Sequence, residues 1–129
     1  MVLLPTVSMT QLNVAGDVAG ETEFNVSVSG CKASSSPQSI STVFLPGAVT
    51  TGGNIKNTGT ADNVNLQLLE PSASTGFALT GGGFAAPGLQ LSANETSASH
   101  KFAVRYVAEG GAAGAGSVIG TVQYSLAYP

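Results

Sequence analysis

The side chains able to do chemistry are few in this chain of 129 residues. There is one histidine, His100, and one cysteine, Cys31. The acids are Asp17, Asp62, Glu21, Glu23, Glu70, Glu95 and Glu109. A nucleophilic triad would need His100 between an acid and a serine, but no Gly-x-Ser-x-Gly elbow presents that serine. His100 beside a strand start therefore reads as a solvated surface residue. Glu21 and Glu23 alternate with Thr22 and Phe24, which turns both carboxylates outward rather than into a cleft of the glycosidase kind. Gly81-Gly82-Gly83 has no following Gly-Lys-Ser/Thr, so it is not a phosphate loop. No His/Cys/Asp/Glu spacing suits a metal. Cys31 is either a buried thiol or half of a disulfide. Reactivity is the least favoured reading, because no basic group adjoins it in sequence to lower its pKa. The residues thus point to no catalysis, no cofactor and no metal.

The elements that carry these residues read as strands. Thr22, Phe24, Val26 and Val28 share one side of a two-residue alternation, with Glu23, Asn25, Ser27 and Ser29 on the other. Val64, Leu66 and Leu68 alternate with Asn63, Asn65 and Gln67. Phe102, Val104 and Tyr106 alternate with Lys101, Ala103 and Arg105. Val118, Gly120, Val122, Tyr124, Leu126 and Tyr128 share a face opposite Thr121, Gln123 and Ser125. Weaker strand candidates are 7–14, 41–45, 53–57, 76–79 and 90–91. Turn clusters lie at 15–20, 30–38, 46–53, 71–76, 80–88 and 109–116. About eight short strands at this spacing predict an all-β sandwich or barrel.

Composition narrows the function classes. Only 9% of residues are charged, against about 25% in typical soluble proteins, and the net charge is -3. Four scattered cations, Lys32, Lys56, Lys101 and Arg105, make no phosphate-binding stripe, which argues against nucleic acid. The opening MVLLPTVS is too short, and too soon broken by Pro5, for a signal peptide or a transmembrane segment. The length fits one domain, 1–129.

The segment HKFAVRYVAEGGAAGAGSVIGTVQYSLAYP, residues 100–129, resembles the closing segment of type 1 pilins, subunits of chaperone–usher fimbriae. Phe102-Ala103-Val104-Arg105-Tyr106 fills the first strand of that pattern. Tyr128 is the penultimate aromatic, and Gly116 is the fourteenth residue from the end, where the pattern expects glycine. GDVAGETEFNVSVSGC, residues 16–31, resembles the strand ending at the family's second cysteine; ADNVNLQLLE, residues 61–70, its central strand; and VLLPTVSMTQL, residues 2–12, the stretch leading up to the first of these. The resemblance covers nearly the whole chain in order.

The resemblance implies an incomplete immunoglobulin-like β-sandwich with an open groove for a donor strand, and a structural subunit of an extracellular fimbrium, assembled through the periplasm. It implies a periplasmic chaperone, an outer-membrane usher and neighbouring pilin subunits as partners. Gly116, Val118, Gly120, Val122, Tyr124, Leu126 and Tyr128 would form one wall of the groove, with the two glycines permitting close approach or a bend. The same alternation in a complete sandwich would make the large side chains ordinary core residues. Family members carry a donor extension and a first cysteine upstream of the stretch that 2–12 resembles. The chain thus reads as a form lacking the N-terminal donor-strand extension, with Cys31 as a disulfide half whose partner is missing upstream. Such a form would cap growth or stay with a chaperone, and a strand-swapped homo-oligomer is a second outlet for its open edge. The alternative is a carbohydrate-binding adhesin or tip module. The absence of Trp and the placing of Tyr106, Tyr124 and Tyr128 on apolar strand faces weigh against that alternative.

Overall fold

The computed structural model describes residues 4, 6–30, 33, 35–50, 52–71, 73, 76–79 and 84–127. Cys31 and Tyr128 lie outside the described residues, as do Gly81, Gly82 and Gly83. The strands are β1 (Val18–Val28), β2 (Gln38–Pro46), β3 (Val64–Leu69), β4 (Phe84–Leu91), β5 (Ala98–Ala108) and β6 (Val122–Ala127). They form two antiparallel sheets, ordered β1-β5-β3 and β4-β2-β6. Period-2 alternation gives each strand an apolar side, and the sheets bury those sides against each other. Phe44 of β2 meets Phe102 of β5 edge to face, with ring centroids 5.1 Å apart. Val26, Ile40, Leu68, Leu89 and Val104 pack around that pair.

Two bulges shape the sheets. Between Ala19 and Thr22, β1 takes one residue more than β5, and Gly20 there has a φ of 70°. A Cβ on Gly20 would lie 2.8 Å from the Tyr106 ring, so the missing side chain lets the ring cover the backbone. The second bulge falls on β4, between the pairs Ile40↔Leu89 and Thr42↔Ala86. It absorbs Pro87 and Gly88 within a strand. That is why 80–88, read from its glycines and proline as a turn, contains strand from Phe84 onward.

Other expectations shift for definite reasons. The stretch 7–14 is not a strand. Ser8 closes a 3-10 turn over Met9–Gln11, accepting from the Gln11 amide at 3.0 Å and donating its own amide to Gln11 Oε1 at 3.0 Å. Leu12 then drops into a small cluster with Val64 and Ala108. In 53–57 only Ile55 pairs, bridging Val49 and Leu66. Segment 76–79 makes single bonds instead of a ladder: Phe77 donates to the Leu68 carbonyl (2.7 Å) and Leu79 to Gly53 (3.0 Å). Among the described residues the terminal strand spans Val122–Ala127, so it begins after Val118 and Gly120.

The largest departure is β5. It is the central strand of its sheet, and Ala103 and Arg105, which alternate with the apolar row, are buried along with Phe102 and Val104. Arg105 Nε donates to Gln67 Oε1 (2.6 Å), its terminal nitrogen donates to the Ala73 carbonyl (3.3 Å), and Glu21 lies 3.9 Å away. His100 is also not a freely solvated residue. Its Nε2 sits 2.8 Å from Glu70 Oε2, and its ring meets Phe102 edge-on and lies against Gly88 of the opposite sheet.

Candidate functional site

β6 is the edge strand of its sheet. Six residue pairs, from Ser41↔Ala127 to Pro46↔Val122, join one side of it to β2. Its other side has no strand partner among the described residues. An edge of this kind presents backbone N–H and C=O groups to any extended chain. The opposite edge strand of the other sheet, β3, is better covered. Ile55 exchanges two backbone bonds with Leu66 there, and Phe77 adds a third to Leu68.

A groove of about 340 Å³ opens along β6. Phe24, Phe44, Leu68 and Val104 form much of its floor, and Ile55 and Leu66 close one end. Gly120, Val122 and Tyr124 form the rim, with Leu4 a further lining residue. None of the lining residues carries a charge. The floor residues come from the apolar sides of β1, β2, β3 and β5; Phe44, Leu68 and Val104 are buried there, and Phe24 is half-buried. Tyr124 is 54% exposed although it belongs to the inward-facing row. Val122 and Leu126 are half-buried against the core.

Gly120 takes part in this geometry through what it lacks. A Cβ there would lie 2.6 Å from Leu66 Cδ1 and 2.8 Å from Ile55 Cγ2, so those side chains occupy the room a larger residue would need. Gly116 and Val118 do not line the groove. They face a second cavity, of about 400 Å³, with Leu12, Val64 and Tyr106. Burial raises the Tyr106 phenol above its ordinary pKa of 10.0. Gly116 lies on the backbone of Thr60 and Ala61, where a Cβ would stand 2.6 Å from the Ala61 nitrogen. Of the terminal residues singled out in the sequence, Gly120, Val122 and Tyr124 thus share the groove, Leu126 packs beside them, and Gly116 and Val118 sit at the neighbouring cavity.

Sequence reasoning missed the residues that hold this region from behind. Segment 117–119 lies along 57–61. Thr58 N donates to the Ile119 carbonyl (2.8 Å), and Ala61 N donates to Ser117 O (3.0 Å). The Asn57 side chain reaches both Ser117 and Ile119. Asn57 ends the weak strand candidate 53–57, and the small polar residues after it, Thr58-Gly59-Thr60, say nothing of a partner. A second polar tie joins Glu109 Oε1 to Thr50 (3.0 Å), Asn54 (2.8 Å) and Asn65 (3.2 Å). The arrangement sets an uncharged apolar surface beside an unpaired strand edge, and the polar groups next to it are engaged in holding loops.

The family model described as "FimA: Type-1 fimbrial protein, A" matches residues 4–129. The F17 fimbrial protein of Escherichia coli is 35% identical over 133 aligned positions, spanning 98% of this chain and 73% of the relative. Among solved structures, a type I fimbria protein and antigen of Burkholderia pseudomallei superposes with a TM-score of 0.70 at 21% identity, over 99% of this chain and 81% of the other. The P pilus rod subunit PapA gives a TM-score of 0.72 at 13% identity, over 100% and 92%. The CupB6 tip adhesin of Pseudomonas aeruginosa gives 0.70 at 18% identity, over 95% of this chain but 34% of that protein. These structural likenesses establish the immunoglobulin-like pilin fold.

Proposed function

The chain belongs to the type-1 fimbrial protein family and is a structural subunit of a fimbria, and on that premise we propose that the groove along β6 receives a strand from another chain. The observation that carries this reading is that an uncharged apolar trough lies beside the unpaired edge of β6. Strand addition would pair the backbone of β6 and set alternate donor side chains onto Phe24, Phe44, Leu68 and Val104. Each Å² of apolar surface so covered contributes about 25 cal/mol. Membership of the family implies assembly with other pilin subunits in an extracellular fimbria. The donor in the fibre is then a neighbouring subunit. Before assembly, a periplasmic chaperone fills the same groove and an outer-membrane usher is the place of exchange.

The reading is tested with a labelled peptide in which valine alternates with serine between terminal lysines. A control peptide of the same composition groups its valines together. Binding of the alternating peptide, with new amide protection along Val122–Ala127, is the expected result. Equal binding of the control, or β6 amides fully protected before any peptide is added, would overturn it.

A further inference from the structure

The segment entering β6 is set in place by one side chain. Asn57 Oδ1 accepts from the Gly59 amide (2.7 Å) and from the Ile119 amide (2.8 Å). Its Nδ2 donates to the Ala61 carbonyl (3.0 Å) and to the Ser117 carbonyl (3.4 Å). That is the full capacity of an amide side chain, two bonds accepted and two donated. The Asn57 backbone amide donates to Asn65 Oδ1 on β3 (2.9 Å). The residue therefore stands on one sheet and grips the chain that feeds the edge strand of the other.

Two glycines let the backbones come that close. A side chain on Gly59 would collide with the Ser117 carbonyl, and one on Gly116 would strike Thr60 and Ala61. Ser117 completes the contact, its amide donating to Thr60 Oγ1 (2.9 Å) and its Oγ accepting from the Thr60 amide (3.1 Å). The residue after the gripped segment, Gly120, lands on Leu66 and Ile55, and the Thr121 carbonyl accepts from Gly47 at 3.0 Å as the ladder with β2 begins. The height and register of the groove rim at Gly120 and Val122 thus follow from where 117–119 is held.

We propose that Asn57 is a positioning residue for strand acceptance: by clasping Ser117 and Ile119 it keeps the entry to β6 in the arrangement an incoming strand can pair with. This rests on the acceptor reading of the groove. With the clasp removed, the entry segment samples other positions, and only the fraction of molecules with the rim in place can start pairing. Once a strand is bound, its own bonds to β6 hold the rim, so dissociation does not depend on the clasp. Two bonds to the segment, at ordinary net strengths, correspond to about tenfold in that fraction.

The experiment measures association and dissociation rates of the alternating valine–serine peptide. Asn57→Ala is expected to slow association about tenfold, leave dissociation unchanged and speed exchange of the Ile119 amide. Asp17→Ala is the control. It removes two comparable loop bonds, to the Asn13 and Val14 amides, that touch neither the groove nor its entry, and it should alter neither rate. Should Asn57→Ala fail to fold, Thr60→Ala removes the acceptor of the Ser117 amide and is expected to slow association likewise. Wild-type association in the variant, a loss confined to dissociation, or equal slowing in Asp17→Ala would each overturn the role of Asn57 while leaving the groove reading intact. Failure of the wild-type chain to bind the peptide would overturn the groove reading and this inference with it.

Discussion

Thr42 shows how a residue's place in the sandwich decides what its chemistry costs. Ile40, Thr42 and Phe44 form the inward row of β2, and Thr42 is fully buried. Its hydroxyl has no hydrogen-bond partner among the described residues. A buried, unsatisfied hydroxyl costs about 1–3 kcal/mol, and valine has nearly the same shape and suits a strand. Thr42→Val is expected to raise stability by about 1 kcal/mol, seen as a higher urea midpoint with an unchanged slope. Arg105 is the opposite case, buried yet held by Gln67 and Ala73 with Glu21 nearby. The burial of Arg105 was not legible in the sequence. Alternation places Thr42 among apolar neighbours and Arg105 on a polar side. It does not say that Arg105 stands on a central strand whose outer face is also covered. His100 was misread for a similar reason: its partners, Glu70 and Gly88, are 30 and 12 positions away in the chain.

Among the elements, β6 combines structural and functional demands in one short strand. β3, β1 from Thr22 onward and the course of β5 were legible because apolar residues recur there at every second position, whereas the covering of both faces of β5 was not. β4 was legible only at its end, since Pro87 and Gly88 are turn residues by local chemistry and are absorbed here by a bulge. The groove was not legible from periodicity at all. A row such as Val122, Tyr124 and Leu126 looks the same whether a neighbouring strand covers it or not; the family resemblance, not the alternation, suggested an open side. Tyr124 in this row is 54% exposed. Because that side chain contributes little to the buried core, Tyr124→Lys should change unfolding stability by no more than about 0.5 kcal/mol. It should nevertheless weaken binding of the alternating peptide by at least about tenfold, because an ammonium group would be set against an uncharged groove. Fluorescence titration and urea unfolding of the same variant check both halves of this expectation. Equal losses in both would mean that Tyr124 is an ordinary core residue.

For the molecule as a whole, the open groove makes stability a property shared with whatever fills it. The sandwich closes around one continuous aromatic and aliphatic core, from Val26 and Phe44 through Phe102 and Leu89, but part of that core also lines the trough beside β6. Phe24 and Tyr124 leave apolar surface in water there, which is stabilisation the chain alone does not obtain. A strand that binds only the folded form must therefore raise the unfolding free energy by mass action. At a peptide concentration 100 times its Kd the gain is about 2.7 kcal/mol. For a chain of 129 residues, at roughly 3 °C per kcal/mol, this is a rise in Tm of about 8 °C. The shift should grow with the logarithm of peptide concentration, and the control peptide with grouped valines should give none. The two positions discussed above must then separate in the same scan. Thr42→Val shifts the melting of the free chain upward and keeps the full peptide-induced rise, because it alters the core and not the rim. Tyr124→Lys leaves the free chain nearly where it was and loses most of that rise. Calorimetry across peptide concentrations decides the matter. A Tm that the alternating peptide does not move, at concentrations where binding is saturated, would mean that the strand binds folded and unfolded chains alike and that the trough is not its site.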